Sequence, residues 1–169
     1  RRNAVNYENM SLAVANLLAN AAGSTSTYEI STMRFGNGGT SIDGVGAVTY
    51  KATNTSSASG ALYNQTHSQT VDDAITSSAL NSVTASHTTP NTYSDVITTC
   101  TLDYNIPAGQ DLTDTGTDMN GAYVFDELAL YTANNDLLTH VVFHPVQKSA
   151  NRKIQVVYTL RIRSSFADL

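Results

Sequence analysis

Residues 7–22 repeat their apolar positions with the period of a helix. The stripe consists of five residues: Met10, Val14, Leu17, Leu18 and Ala21. Such spacing predicts an amphipathic helix that packs on a sheet, and a helix that docks on a partner subunit is the alternative. Asn6 suits the N-cap position, and Gly23 suits the position after the last turn. We therefore assign residues 1–6 to an N-terminal arm and residues 7–22 to one amphipathic α-helix.

The later apolar positions mostly alternate with polar ones, which is typical of β-strands. This pattern predicts six strands: 28–35, 46–52, 96–104, 123–131, 137–143 and 153–163. In the first strand the apolar positions change from even to odd residue numbers between Ile30 and Met33, which predicts a bulge. In the last strand every second residue from Ile154 to Ile162 is apolar. At about 3.3 Å per residue it would span about 36 Å, enough to run the length of a sandwich.

The stretches between these strands are rich in turn-forming residues. Residues 52–92 contain long runs of Ser, Thr and Ala, so we predict a loop-rich region that a short element at 61–63 interrupts. Residues 134–136 predict the turn of a hairpin, and residues 107–109 predict a turn out of the preceding strand. The glycine-rich sequence 36–39 lacks the third glycine of a dinucleotide-binding loop, and no amphipathic helix follows it. We interpret it as a tight turn that requires positive φ.

Together these elements predict a mainly β protein. The expected architecture is an antiparallel β-sandwich, jelly-roll-like, with one N-terminal amphipathic α-helix. Residues 1–169 are predicted to form a single domain, with the sandwich in residues 28–163. We expect the core to come from apolar residues of the last strands: Tyr123, Phe125, Leu128, Leu130, Val142, Phe143, Ile154, Val156, Tyr158, Leu160 and Ile162.

Composition excludes several other classes of protein. The chain has 169 residues, a net charge of −5 and 14% charged residues, against about 25% in an average soluble domain. Ser, Thr and Asn supply its polarity, which disfavours helical bundles, coiled coils and highly charged disordered chains. The single Cys100 cannot form an intrachain disulfide, and we expect it to be a small buried residue. No apolar run approaches the ~20 residues of a membrane span.

The charged residues are divided between two segments. Residues 111–136 contain six acidic residues and no Lys or Arg, and residues 148–163 contain five basic residues and no acidic one. These segments either form two solvated faces, with or without pairing within the fold, or meet head-to-tail between copies. With the basic N-terminal arm they supply the candidate interface residues: Arg1, Arg2, Asp111, Asp114, Asp118, Lys148, Arg152, Arg161 and Arg163.

The residues that commonly carry catalysis or bind cofactors lack a suitable spacing. His140 and His144 would share one strand face about 13 Å apart, which is too far to chelate one ion. Asp126 and Glu127 are adjacent, so we expect them on opposite faces and not as an acid/base couple. The acidic residues 111–118 depart from the calcium-loop order, so a solvated loop is favoured over calcium binding. The acidic composition and the absence of Trp disfavour nucleic-acid binding. We predict no catalytic residue, metal or cofactor.

One succession of motifs resembles a known class of proteins. After the helix come residues 30–39 (ISTMRFGNGG) and 61–64 (ALYN), and later 125–131 (FDELALY), 137–145 (LLTHVVFHP) and Lys148. This succession is similar to structural proteins of tailed bacteriophages, in particular the N-terminal, virion-attaching domain of tail-fibre or collar proteins. Those modules have a helix, a strand ending in a Phe/Val-Gly-x-Gly turn, a Glu-Ile/Leu-Gly-Leu-Phe strand, and a hairpin and Pro-containing turn before the last strand. Ala129 stands where such proteins often have glycine. The chain ends soon after its last strand, so we expect a stand-alone building block.

The resemblance implies a non-enzymatic virion protein that self-assembles and attaches to tail, neck or fibre components. Its partners would be other virion structural proteins and further copies of itself, as a trimer or hexamer, with no nucleic-acid or membrane partner. It would be located in the virion after assembly in the host bacterial cytoplasm. The alternatives are a capsid decoration protein on the head surface and a carbohydrate-binding β-sandwich that stacks Tyr63, Tyr93 and Tyr104 on sugars. A small glycosidase or lyase that uses Asp126 and Glu127 is a third, less supported alternative.

Overall fold

Antiparallel β-sheet dominates the structure, a computed structural model that describes residues 6–20, 27–55, 60–71, 80–110 and 123–163. Within these ranges the elements are α1 (Tyr7–Leu18), β1 (Ile30–Gly36), β2 (Thr40–Ile42), β3 (Val48–Tyr50), β4 (Gln65–Thr70), β5 (Ser82–Ser86), β6 (Tyr93–Leu102), β7 (Val124–Thr132), β8 (Leu137–Gln147) and β9 (Ile154–Arg163). The predicted mainly β class with one N-terminal helix is confirmed.

Helix α1 begins where the sequence predicts and ends earlier. Asn6 is its N-cap, and the side-chain oxygen accepts a hydrogen bond from the Asn9 N–H at 3.0 Å. The helix ends at Leu18, and Asn20 then takes a left-handed φ of 51°, a conformation that terminates helices. The predicted end at residue 22 is therefore wrong, and Gly23 lies outside the described residues.

The buried face of α1 is rotated from the predicted stripe. Ser11 and Ala15 are fully buried, whereas Met10 and Leu17 are 50% and 61% exposed. The small side chains let the helix approach β6 closely, and the Ser11 hydroxyl lies 3.0 Å from the Ser94 hydroxyl. The helix therefore packs on the sheet, as predicted, with small residues buried at the contact and with Leu18 of the predicted stripe partly buried against the core.

Two antiparallel sheets and one hairpin organise the strands. The first sheet has the order β4-β1-β7-β8, the second has the order β5-β6-β9, and β2 pairs with β3. Strands that are distant in sequence pair within both sheets, because β1 lies beside β7 and β6 lies beside β9. The jelly-roll detail of the predicted sandwich stays a prediction.

One hydrophobic core joins both sheets and the helix. Its enclosed residues come mainly from α1, β1, β6 and β7: Ala15, Ile30, Met33, Phe35, Val71, Val96, Cys100, Leu102, Phe125, Leu128 and Leu130. The inward residues of β9 and Phe143 pack against this cluster and are partly buried. Two predicted core residues lie elsewhere. Tyr123 donates its hydroxyl hydrogen to the Ala108 carbonyl at 3.1 Å, and Val142 packs against the Gly39 backbone.

The predicted loop-rich region at 52–92 is wrong in part, because it contains β4 and β5. β4 reads QTHSQT and β5 reads SVTAS, so apolar alternation is absent from the first and weak in the second. Both are edge strands of their sheets, where polar residues remain close to solvent. Residues 61–63 form no strand.

Two local irregularities that the sequence predicts are confirmed, and one predicted strand end is wrong. The register of β1 on β7 shifts between Ile30 and Thr32, which confirms the bulge. Asn135 takes a φ of 65° in the turn of the β7–β8 hairpin. β8 continues past the predicted end through Pro145 to Gln147, because an edge strand tolerates proline.

Candidate functional site

The predicted interface residues at the end of β9 make contacts within the chain. Arg161 binds Asp95 of β6 through two hydrogen bonds of 2.8 and 2.9 Å. Its guanidinium also lies 4.0 Å from the centre of the Tyr93 ring. The hydrogen bond from Arg161 holds the pKa of Asp95 below its ordinary value, and the nearby charge of Arg163 acts in the same direction. Part of the basic segment is therefore paired within the fold.

The remaining basic candidates differ in their surroundings. Lys148 is 1% exposed, and its Nζ donates to the carbonyl of the next residue at 3.0 Å and to the Gln110 side chain at 3.2 Å. Burial lowers the pKa of Lys148, because a desolvated ammonium is disfavoured. Lys148 is thus an interior residue and not a surface contact of this chain. Lys153 pairs with Asp103 at 2.8 Å, and Arg152 is exposed.

Five candidate residues lie outside the described residues: Arg1, Arg2, Asp111, Asp114 and Asp118. The head-to-tail pairing of the acidic and basic segments therefore stays a prediction.

A second group of charges lies inside the central strand β7. Asp126 and Glu127 interrupt its apolar sequence and are 3% and 0% exposed. Asp126 accepts the backbone N–H groups of Gly39 and Thr40, both at 2.8 Å. Hydrogen bonds to an ionised acceptor are stronger than those between neutral groups. Asp126 consequently holds the start of β2 against β7.

Glu127 holds a second segment in the same way. One carboxylate oxygen accepts the N–H groups of Asn64 at 2.8 Å and Gly38 at 3.2 Å. The other accepts the Tyr63 N–H at 2.9 Å and the His140 Nε2 hydrogen at 3.0 Å. Four donors satisfy both oxygens of an ionised carboxylate. One buried side chain therefore joins the glycine-rich turn, the 61–64 segment and β8.

His140 completes this network from β8. Its side chain is fully buried, and its Nδ1 accepts the Asn54 N–H at 2.8 Å. Because a backbone N–H can only donate, the ring hydrogen of His140 is assigned to Nε2, which faces Glu127. His144 makes a different contact, since it is exposed and lies 3.3 Å from the Tyr50 hydroxyl.

The expectation that Asp126 and Glu127 point to opposite faces is wrong. Phe125 and Leu128 both join the core, so the alternation of β7 is broken between them. The register of β7 on β8 also shifts between Phe125 and Glu127. Both carboxylates consequently bind the same segment, residues 38–40.

The glycine-rich turn depends on close packing and not on positive φ. A Cβ on Gly36 would lie 2.4 Å from the Asn64 carbonyl oxygen and 2.5 Å from the Glu127 carboxylate. Among the described glycines, positive φ occurs at Gly46 and Gly109. The prediction of a tight turn with positive φ at 36–39 is therefore wrong in its physical reason, because there the backbone of a second segment occupies the space.

The carboxylate network joins distant segments of the fold. Its oxygens accept hydrogen bonds from backbone N–H groups and from His140. The described part of the chain also contains no group of three or more His, Cys, Asp or Glu that could hold a metal ion. Two acidic residues inside an apolar strand are a visible sequence signal. Their partners could not be predicted, because Asn64 and Gly38 lie 63 and 89 residues away from Glu127.

The tyrosines considered for sugar binding do not converge. Tyr93 begins β6 and Tyr104 follows its end, so a strand of about 30 Å separates them. Tyr63 lies on the first sheet instead, beside His140. A lysine or arginine lies 4.0–4.7 Å from the centre of each of these three rings. Each ring thus has one face already covered.

An apolar cavity of about 230 Å³ lies between the two sheets at one side. Its walls come from β1, β7, β8 and β9: Phe35, Phe125, Leu128, Phe143, Val146, Ile154 and Val156. β8 and β9 are edge strands, and among the described strands each pairs with a single neighbour. Val146 is 44% exposed. Apolar surface therefore reaches solvent between two open sheet edges.

No helix in the described ranges is long and apolar enough to cross a bilayer. A scan against protein-family models, a search of curated proteins and a search of solved structures found no match. The residues of the chain itself and its motif resemblance are therefore what support a function.

Proposed function

We propose that this chain is a non-enzymatic structural protein of a tailed-phage virion, which self-assembles and attaches to tail, neck or fibre components. The motif resemblance supports the phage assignment. The contacts add a physical reason for those motifs, because Asp126 and Glu127 join the turn 36–39, the segment 61–64 and strand β7. Because these motifs meet in one buried network, they help to specify the fold of the chain. A structural building block requires a well-specified fold.

The observation that carries the proposal is the open side of the two sheets. β9 presents ten residues of unpaired strand edge among the described residues, and an apolar cavity lies beside it. Sheet edges and exposed apolar surface are features that protein partners cover. The proposed partners are other virion structural proteins and further copies of this chain, and the proposed location is the virion after assembly in the host bacterial cytoplasm.

The capsid-decoration alternative uses the same surfaces and differs in location on the particle. The carbohydrate-binding alternative is disfavoured by the separation of Tyr63, Tyr93 and Tyr104. A glycosidase or lyase is disfavoured because Asp126 and Glu127 are buried and bound to backbone donors.

The test is to search for the chain in purified virions of the phage that encodes it. Quantitative mass spectrometry should find a fixed copy number per particle, with a non-structural protein of the same phage as the negative control. Immunogold electron microscopy should place the label on the tail, neck or fibres. A label on the head would replace this assignment with capsid decoration, and absence from washed particles would overturn a virion role.

A further inference from the structure

The turn between β1 and β2 contains an Asn-Gly dipeptide, Asn37–Gly38. In such a dipeptide the backbone nitrogen of glycine can attack the asparagine side chain, because glycine has no Cβ to hinder the approach. The Gly38 nitrogen then bonds to Asn37 Cγ, and the proton of that nitrogen leaves with the Asn37 amide group as ammonia. Water opens the resulting five-membered imide at either carbonyl, which yields aspartate or isoaspartate at position 37.

In the folded chain both reacting groups are held in hydrogen bonds. The Gly38 N–H donates to one Glu127 carboxylate oxygen at 3.2 Å. The Asn37 side-chain oxygen accepts a hydrogen bond from the Asn64 side chain, and the Asn37 N–H donates to the Asn64 carbonyl at 3.1 Å. Because the Gly38 nitrogen must lose its hydrogen atom and move onto Asn37 Cγ, the reaction requires the contact with Glu127 to break. The two contacts with Asn64 oppose the bond rotations that ring closure needs.

The packing around the turn opposes the same step. A Cβ on Gly38 would lie 2.7 Å from the Tyr63 Cβ and 2.8 Å from the Asn64 nitrogen. Tyr63 and Asn64 therefore cover the turn closely, and Glu127 holds them in place through their backbone N–H groups. One carboxylate thus restrains the attacking nitrogen and also the segment that packs against it.

We propose that Asn37 is a deamidation site that the Glu127 network keeps unreactive, and that opening of this network starts the reaction. This inference goes beyond the proposed function and does not rest on it. It assigns a chemical role to the network in addition to joining distant segments.

The product of the reaction would prevent the network from closing again. Isoaspartate adds one backbone carbon between positions 37 and 38, in a turn that has no space for an added Cβ at Gly38. Aspartate instead places a second carboxylate beside the residue that binds Glu127, and like charges disfavour each other. Deamidation would therefore convert a transient opening of the turn into a permanent change.

The first test compares the deamidation rate of Asn37 in the folded chain with the rate in a synthetic peptide of residues 33–41. Both are incubated in the same mildly alkaline buffer, and peptide mapping by mass spectrometry separates asparagine, aspartate and isoaspartate at position 37. The folded chain should react at least about tenfold more slowly, because local opening must precede the reaction. An equal or faster rate in the folded chain would overturn the proposal.

The second test opens the network by one substitution. Glu127→Gln keeps the shape of the side chain and removes the charge that binds the backbone N–H groups, so the Asn37 rate should rise at least about tenfold toward that of the peptide. The matched control is Leu102→Ala, which removes a fully buried side chain from β6 in the second sheet. It lowers the free energy of unfolding without touching the network and should leave the Asn37 rate unchanged. Equal acceleration in two variants of equal stability would assign the reaction to global unfolding and overturn the proposal.

Asn64→Ala provides a further variant if Glu127→Gln does not fold. It removes the side-chain contact with Asn37 and leaves the backbone N–H of residue 64 for Glu127. The Asn37 rate should exceed that of wild type, and a rate equal to wild type would contradict a role of this contact in the protection.

The third test concerns the permanence of the change. Ion exchange separates the deamidated chain, which carries one additional negative charge, from the unreacted chain. In urea the deamidated chain should unfold at a lower midpoint, because its turn no longer fits the network. An unchanged midpoint would show that the network closes around the product and would overturn the permanent change.

Discussion

Two glutamate–histidine pairs join separate elements of the molecule, and they differ in burial and in the other partners of the histidine. Glu127 and His140 join the loops to the first sheet, with 3.0 Å between the carboxylate and Nε2. Glu8 and His87 join α1 to the second sheet, with 2.9 Å between the same groups. The first pair has fully buried side chains, whereas those of His87 and Glu8 are 10% and 29% exposed.

The difference lies at the other ring nitrogen. His140 Nδ1 accepts a hydrogen bond from the backbone N–H of Asn54 at 2.8 Å. His87 Nδ1 instead lies 3.0 Å from the Tyr93 carbonyl oxygen and 2.9 Å from the Ser94 hydroxyl, which can either donate or accept. The two histidines therefore differ in the partners of Nδ1, which are a backbone N–H at His140 and a carbonyl and a hydroxyl oxygen at His87.

The largest effect should come from removing the carboxylate of the buried pair. Glu127→Ala leaves four donors without an acceptor, and we expect a loss of about 3–5 kcal/mol in the free energy of unfolding. Urea unfolding measures it, and Glu127→Gln provides a second variant if the alanine protein does not fold. Glu8→Ala, in the more exposed pair, should lose far less. Equal losses at the two sites would contradict the comparison.

A smaller effect should come from crowding the same network. Gly36→Ala places a methyl group against the Asn64 carbonyl and the Glu127 carboxylate. Overpacking of this kind costs about 1–3 kcal/mol, so the thermal midpoint should fall. The matched control is Gly44→Ala, because a Cβ at Gly44 meets nothing within 4 Å. A similar midpoint for the two variants would show that the turn adapts and that Glu127 does not require this approach.

The more exposed pair, Glu8 and His87, should make the thermal midpoint depend on pH. The hydrogen bond from His87, with a second from Thr89, holds the pKa of Glu8 below its ordinary value of 4.5. A carboxyl with a lowered pKa stabilises the fold above its unfolded-state value, and that stabilisation is lost as pH falls through the folded value. The difference in thermal midpoint between wild type and Glu8→Gln should therefore shrink as pH falls from 6 to 3. A constant difference would mean that Glu8 acts through packing.

The smallest effect should come from an ion pair without a histidine. Arg161→Met removes the bidentate contact with Asp95 at the surface, where such pairs contribute little and are screened by salt. The thermal midpoint should fall slightly in low salt and not at all in 1 M salt. A loss that persists in high salt would indicate packing on Tyr93 instead.

The sequence predicts those parts of the fold whose signals are local. Asn6 marks the start of the helix, and the shift in apolar positions between Ile30 and Met33 marks the bulge. In β9 every second residue is apolar without interruption, which marks the strand. β4 could not be predicted because QTHSQT carries no apolar alternation, and its place in the sheet comes from pairing with β1. The end of α1 was missed because Asn20, and not a glycine, takes the left-handed conformation.

The buried network shows why the candidate site was harder to predict than the fold. Asp126 and Glu127 are conspicuous in the sequence, yet their roles depend on partners brought from distant segments. Regular alternation along β7 would place the two side chains on opposite faces of the sheet. The break in this alternation between Phe125 and Leu128 places both beside the same turn, residues 38–40. The contact between His87 and Glu8 depends in the same way on two residues that lie 79 positions apart.

The cations over tyrosine rings provide a spectroscopic reporter. The chain has nine Tyr and no Trp, so its near-ultraviolet signal comes mainly from tyrosine. Arg34 lies over Tyr131 in the first sheet, and Arg161 lies over Tyr93 in the second. Loss of either contact on unfolding would change the environment of an identifiable chromophore. Replacing one of these tyrosines by Phe would then assign a change in circular dichroism to a single sheet, without attaching a dye.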